Sequence, residues 1–191
     1  TPPQQGALAP APAQPVDFGE PPVPAGTPGA GAAFAILHVP RFGADYQRPI
    51  LQGTSLDLLA RGVGHYPSSA LPGEVGNFAL AGHRVTYGRP FHDIAELRQG
   101  DQIIVETADA WYVYRMRSNL VVTPNRVDVV DPVPEEPDAE PTERLLTMTA
   151  CHPMYSARER FVVHAVLDHW QPKSAGPPAE LAASAGSVQA G

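Results

Sequence analysis

The single cysteine of this 191-residue chain is the first side chain whose chemistry stands out. Cys151 follows the apolar run 145–150 and precedes His152 and Pro153, so we expect it at the end of a strand that stops at the proline. A thiol at a sheet edge can ionise and act as a nucleophile, whereas a lone cysteine is more often a buried apolar side chain. A disulfide within the chain is excluded because there is no second cysteine.

A histidine marks the second chemically notable stretch. Residues 77–81 predict a strand, and Gly82 after it allows a tight turn that exposes the ring of His83. Imidazole titrates near neutral pH, so this side chain could act as a general acid or base. The alternative is a turn histidine at a strand edge that has no chemical role.

Two arginines open the last long apolar stretch of the chain. Arg158 and Arg160 are two positions apart, so on a strand both side chains would face the same way. Cys151 lies nine positions before Arg160, and a guanidinium near a thiol could donate hydrogen bonds to a developing oxyanion. The alternative is a solvated strand end in which Glu159 neutralises one of the charges.

Composition and spacing argue against several other kinds of site. His152, His164 and His169 lack the spacing of a zinc site, so no metal or other cofactor is predicted, and we expect His152 in a surface loop. The net charge of −7 argues against a nucleic-acid partner. No window approaches the roughly 20 apolar residues that span a bilayer, so a membrane anchor, if present, is predicted outside this chain.

Short strands separated by turn residues dominate the predicted secondary structure. One helix is expected to begin near Thr54 and end by Gly62, with a second short helical piece at 91–97. This pattern is typical of a mainly β barrel or sandwich. The predicted strands are 34–39, 77–81, 102–106, 111–117, 120–123, 145–150 and 161–170.

The two ends of the chain differ in composition from its middle. Residues 1–32 are rich in proline, alanine and glycine, which predicts a disordered linker because such a segment cannot bury enough apolar surface. Residues 33–171 are predicted to form one folded domain. Residues 172–191 are again rich in proline, alanine, glycine and serine, and are predicted to be a flexible tail.

The order of these stretches resembles the sortase family, in which a histidine follows a strand, a TLxTC strand carries the cysteine, and an arginine opens the next strand. The segment Ala-Gly-His-Arg-Val-Thr-Tyr-Gly-Arg-Pro-Phe-His-Asp-Ile at 81–94 and Leu-Arg-Gln-Gly-Asp at 97–101 are similar to that family. Gly-Val-Gly-His-Tyr-Pro at 62–67 and Ala-Leu-Pro-Gly at 70–73 resemble class E sortases of actinobacteria. The resemblance covers about residues 34–170.

The resemblance implies a closed β-barrel of about eight strands with one or two short helices. It implies that Cys151 is the nucleophile and His83 the general acid. Arg160 would bind the substrate carbonyl or the oxyanion, with Arg158 as the rival because loop gaps shift the alignment. The motif here reads Thr-Met-Thr-Ala-Cys, so Ala150 replaces the usual threonine, which bears on rate and substrate preference. Tyr66 is expected near the substrate subsite, or else packed on the barrel wall.

The resemblance also implies an activity. A cysteine transpeptidase of this kind cleaves an LAxTG- or LPxTG-like sorting signal between threonine and glycine, and transfers the protein through a thioester to an amine of a peptidoglycan precursor. The class E likeness favours LAxTG. Its partners would be sorting-signal peptides of secreted proteins, and it would work at the extracellular face of the membrane or in the cell wall.

Three alternatives compete with this interpretation. A catalytically weak or inactive sortase-like binding module would keep the barrel and leave Cys151 without a role. An L,D-transpeptidase would need a Ser-His-Gly-Cys motif, which the chain lacks. A secreted cysteine protease would normally offer an asparagine or aspartate to orient the histidine, and no residue of the sequence is marked for that role.

Overall fold

Eight strands close into one barrel in the computed structural model, which describes residues 16–186. Around the barrel the order is β1-β2-β3-β4-β7-β8-β6-β5, and β5 pairs with β1. The predicted mainly β fold with short helices is confirmed. The strands are β1 Ala33–His38, β2 Gln47–Gln52, β3 Val63–His65, β4 Gly76–Ala81, β5 Gln102–Glu106, β6 Ala110–Val122, β7 Arg144–His152 and β8 Glu159–Pro172.

The helices are short and lie between strands or at the C-terminal end. Helix α1, Leu56–Leu59, is a single turn, and α2 spans Ala179–Gly186. The remaining helical pieces are 3-10 turns at Pro40–Phe42, Ile94–Glu96, Val127–Val130 and Lys173–Ala175. Among the described residues, no helix is long and apolar enough to cross a membrane.

The pairing of β4, β7 and β8 decides where the chemically notable residues lie. Strand β4 runs parallel to β7, and β7 runs antiparallel to β8. The C-terminal ends of β4 and β7 therefore meet the N-terminal end of β8 at the same rim of the barrel. The three stretches singled out in the sequence all reach this rim.

Alternation along β7 and β8 assigns their side chains to the two faces of the barrel wall. Leu146, Met148 and Ala150 of β7 belong to the interior cluster, as do Phe161, Val163 and Ala165 of β8. Neighbouring strand residues point to opposite faces, so the intervening Thr149 and Cys151 point away from the interior. Cys151 is thus not a core side chain, in contrast to the usual fate of a lone cysteine.

Two strands were missed by the sequence prediction, and two predicted strands are joined into one. β2 and β3 were not predicted, because β2 contains polar residues and Pro49, and β3 has three residues only. The predicted strands 111–117 and 120–123 form one 13-residue strand, β6. A register shift between Met116 and Ser118 lets β6 continue through its polar Ser118 and Asn119.

The ends of the described chain pack against the barrel. Within the predicted linker, the carbonyl of Gly19 accepts a hydrogen bond from Trp170 Nε1 at 2.8 Å, and that of Pro22 accepts one from Tyr112 Oη at 2.6 Å. Residues 1–15 of the predicted linker and residues 187–191 of the predicted tail lie outside the described part. Where a flexible tail was expected, α2 packs Leu181 against an apolar cluster that includes Trp111. An alanine-rich segment forms a helix there because it has an apolar surface to cover.

Candidate active site

The strand register aligns His83, Cys151 and Arg160 across three neighbouring strands. Ala81, the last residue of β4, pairs with Thr149 of β7; His83 lies two residues beyond Ala81 in the turn after β4, and Cys151 lies two residues beyond Thr149 on β7. Cys151 in turn pairs with Arg160 of β8. Neighbouring strands lie about 4.8 Å apart, and β7 lies between β4 and β8, so Cys151 lies between His83 and Arg160.

A pocket of about 240 Å³ opens at this rim, and the site residues predicted from the sequence line it. Its lining includes His83, Cys151, Arg160, Tyr66 and Ala150. Leu56 and Leu59 of α1 form an apolar part of its wall, next to Thr54. We call this cavity the active-site pocket. It combines a nucleophile, a titratable ring, a fixed cation and apolar surface, which is the usual composition of a small binding site.

A second, larger cavity of about 550 Å³ lies under residues 16–21. It reaches Arg144, the first residue of β7, which is roughly 23 Å along the strand from Cys151 at about 3.3 Å per residue. Its lining includes no cysteine. The thiol therefore lies in the smaller pocket and not in this cavity.

The ring of His83 is fixed by the turn that follows β4. The N–H of Gly82 donates to the carbonyl of Thr149 at 3.1 Å, and the N–H of Phe91 donates to the carbonyl of His83 at 3.0 Å. A Cβ atom on Gly82 would lie 2.6 Å from the Phe91 ring, so only glycine fits there. Within residues 16–186 the buried Nε2 atom of His83 has no hydrogen-bond partner, and His83 lines the pocket that contains Cys151.

Arg160, and not Arg158, is the arginine of the active-site pocket. Arg160 is half-buried, and its Nη1 donates to the carbonyls of Ala157 and Glu159 at 3.0 Å each. Strand β8 begins at Glu159, so Arg158 lies in the preceding loop and is exposed. The expectation that both arginines open the strand on one face is wrong, because the loop after β7 extends through residue 158.

Tyr66 projects from the segment after β3 and reaches the strand that carries Cys151. Its hydroxyl is 3.2 Å from Oγ1 of Thr149, and that oxygen donates to the carbonyl of Leu80 at 3.2 Å. Because the single hydroxyl proton of Thr149 is engaged with Leu80, the phenol is the donor in the bond with Tyr66. The lone pairs of the phenol oxygen remain to accept a hydrogen bond from a ligand. Thr149 was not predicted as a site residue, although its alternation with Cys151 was visible in the sequence.

Ala150 lies on the opposite face of β7 from the thiol. Its side chain belongs to the interior cluster with Met148 and is 3% exposed, while its backbone borders the active-site pocket. A threonine here would place its hydroxyl among apolar side chains. Ala150 therefore affects the packing of the barrel interior beneath the site more directly than it affects the thiol.

His152 is the last residue of β7 and is half-buried, so its predicted place in a surface loop is wrong. Nη1 of Arg84 donates to its Nδ1 at 2.8 Å, and its ring lies 5.7 Å from the ring of Phe161. These two contacts hold the strand together for one residue beyond Cys151. Arg84 was not singled out in the sequence as a site residue, because its contact with His152 spans 68 positions.

Two other histidines near these strands have structural roles. His65 is buried and makes hydrogen bonds with Gln52 at 2.6 Å and with the carbonyl of Ala70 at 2.9 Å. Nδ1 of His164 is 2.8 Å from Oγ1 of Thr147. Burial lowers the pKa of both rings below the usual value, so both favour the neutral form. His83 is therefore the histidine among the described residues that lines the active-site pocket.

Comparisons with known proteins agree with this geometry. A family model described as Sortase domain matches residues 37–168. Sortase SrtE1 from Streptomyces coelicolor is 42% identical over 159 residues, which are 79% of this chain and 45% of that protein. The chain thus spans less than half the length of this curated relative.

Two solved structures are similar over most of their length. The SrtA sortase from Actinomyces oris superposes with a TM-score of 0.80 at 40% identity, over 86% of this chain and 94% of that one. The structure of sortase E1 from Streptomyces coelicolor with a tripeptide in the active site has a TM-score of 0.72 at 39% identity, over 79% and 97% of the two chains.

Proposed function

The chain belongs to the sortase family, and from that premise we propose that it is a cysteine transpeptidase of the cell envelope. Its substrate is a sorting-signal peptide of a secreted protein, cleaved between threonine and glycine. The observation that carries the proposal is the position of His83, at the end of β4, beside the paired Cys151 and Arg160 of β7 and β8 at one pocket.

The first half of the reaction forms a thioester. The Cys151 thiolate attacks the carbonyl carbon of the threonine, and the carbonyl oxygen becomes an oxyanion. Arg160 donates hydrogen bonds to that oxygen, which is where negative charge develops. His83 donates a proton to the departing glycine nitrogen as the C–N bond breaks, so the leaving group departs as a neutral amine. The threonine is then held on Sγ.

The second half of the reaction transfers the acyl group. An amine of a peptidoglycan precursor attacks the thioester carbon, and His83 takes up the proton that this amine loses. The new amide bond forms as the C–S bond breaks, which returns Cys151 as the thiolate. We place the enzyme at the extracellular face of the membrane.

Peptide preference and Tyr66 are tested together with quenched fluorescent LAxTG and LPxTG peptides and a small amine acceptor. We expect turnover of both, with a higher kcat/KM for LAxTG. Tyr66→Phe removes the phenol oxygen and lowers kcat/KM for LAxTG about tenfold, the value of one hydrogen bond. The preference for LAxTG falls with it. No wild-type turnover of either peptide would replace the proposal with a sortase-like binding module.

A matched pair of variants tests the choice between the two arginines. Arg160→Met lowers kcat about 10²- to 10³-fold, because the oxyanion loses its charged donor. Arg158→Met removes the same charge from an exposed loop and leaves kcat within about threefold of the wild type. Initial rates with the LAxTG peptide measure both. A larger loss in Arg158→Met than in Arg160→Met would reassign the role to the loop arginine.

A further inference from the structure

Arg84 is a buried cation directly behind the candidate active site. It follows His83 in the chain and is 5% exposed. Its Nη1 donates to Nδ1 of His152 at 2.8 Å and to the carbonyl of Cys151 at 3.4 Å. Its Cζ lies 5.7 Å from the centre of the Phe161 ring. One residue therefore connects the backbone of the histidine to the end of the strand that carries the thiol.

The partners of Arg84 are unusual for a buried arginine. Burying a guanidinium is costly, and the cost is normally met by a carboxylate partner. Within the described chain no salt bridge involves Arg84, and its buried Nε has no hydrogen-bond partner. Its donors are directed instead to the two residues at the end of β7. A purely apolar side chain would fill the same space without that cost.

The contact with His152 also fixes the proton of that ring. A guanidinium carries its proton permanently and can only donate, so Nδ1 of His152 is the acceptor and its proton lies on Nε2. His152 therefore accepts a hydrogen bond that ties down the end of β7.

We propose that Arg84 is a positioning residue of the active site, which holds the imidazole of His83 and the thiol of Cys151 in register. The inference rests on the proposed function of the pocket. Arg84 follows His83 directly in the chain, and its guanidinium donates hydrogen bonds to the carbonyl of Cys151 and to the ring of His152 at the end of β7. Loss of these hydrogen bonds lets the two reacting groups move independently, and displacements of about 1 Å are enough to slow a positioned reaction about 10²-fold.

The test compares four variants and one matched control variant with the wild type in the LAxTG assay. Arg84→Met lowers kcat about 50-fold while KM stays within about threefold, because positioning acts on the chemical step. Arg84→Lys keeps one charged donor and recovers part of the loss. His152→Ala has a smaller effect, and the double variant Arg84→Met/His152→Ala is no slower than Arg84→Met alone, since both act through one contact. Arg98→Met, at an exposed arginine, is the matched control and leaves kcat unchanged.

A thermal unfolding scan of each variant separates positioning from general stability. A wild-type kcat in folded Arg84→Met, or a loss confined to KM or to the melting temperature, would overturn the inference. If Arg84→Met does not fold, Arg84→Lys and His152→Ala carry the same test. Wild-type protein and Cys151→Ala are assayed alongside. Absence of wild-type turnover overturns the proposed function and the inference with it, whereas active wild type with an equally active Arg84→Met overturns the inference alone.

Discussion

Replacing Cys151 by alanine lowers turnover of the LAxTG peptide by at least about 10⁴-fold, because both acyl transfers pass through its sulfur. The expected size follows from removing a nucleophile for which the site has no substitute. Among the described residues that line the active-site pocket, no other side chain is a nucleophile comparable to the Cys151 thiol. Peptide cleavage followed by fluorescence measures the loss.

Chemical labelling provides the control for this variant. Cys151 is the only cysteine of the chain, so iodoacetamide reports on that thiol alone. We expect labelling of folded wild-type protein to abolish turnover in proportion to the modified fraction, and Cys151→Ala to take up no label. Cys151→Ser, which keeps the shape but not the acidity of the thiol, should be nearly as slow as the alanine variant. Turnover that survives complete labelling would contradict the assignment.

Replacing His83 by alanine lowers kcat on the amide substrate about 10³-fold, which lies within the range for loss of a general acid. An amine leaving group cannot depart as an anion, so it depends on the proton that this ring donates. His83 lines the same pocket as Cys151, which places it beside the bond that is cleaved. Steady-state rates with the LAxTG peptide measure this loss.

A thioester version of the substrate identifies the step at which His83 acts. A thiolate leaves without being protonated, so on a peptide whose threonine is joined to its leaving group by a thioester, the single-turnover rate of thiol release by His83→Ala should be within about tenfold of the wild type. His169→Gln, at the far end of β8, is the matched histidine control and should leave both rates unchanged. An equal loss in the single-turnover rates of leaving-group release from the amide and the thioester would show that His83 does not act on the leaving group.

The positions of the candidate site residues Cys151 and His83 were largely predictable from sequence because each depends on a local pattern. Cys151 at the end of an apolar run and His83 after a strand and a glycine are patterns of a few residues, and both lie where these patterns indicate. The choice between Arg160 and Arg158 was not predictable in the same way. It depends on where the loop after β7 ends, and only the pairing of Cys151 with Arg160 fixes that point.

The parts of the fold that sequence reasoning missed are those stabilised by distant partners. β3 has three residues, and it forms because β2 and β4 lie on either side of it. β6 continues through Ser118 and Asn119 because β8 pairs with it along that stretch. Arg84 and Thr149 were overlooked as site residues for the same reason, since their partners His152 and Tyr66 are far away in the chain.

Intact-protein mass spectrometry after brief incubation with an LAxTG peptide is the most direct test of the central claim. The account predicts a species heavier than the wild type by the peptide up to its threonine, attached to Cys151 and absent from Cys151→Ala. On addition of an amine this species disappears as the peptide–amine product forms. Cleavage of the peptide without any adduct on Cys151, or an adduct that no amine releases, would contradict a transpeptidase that works through a thioester.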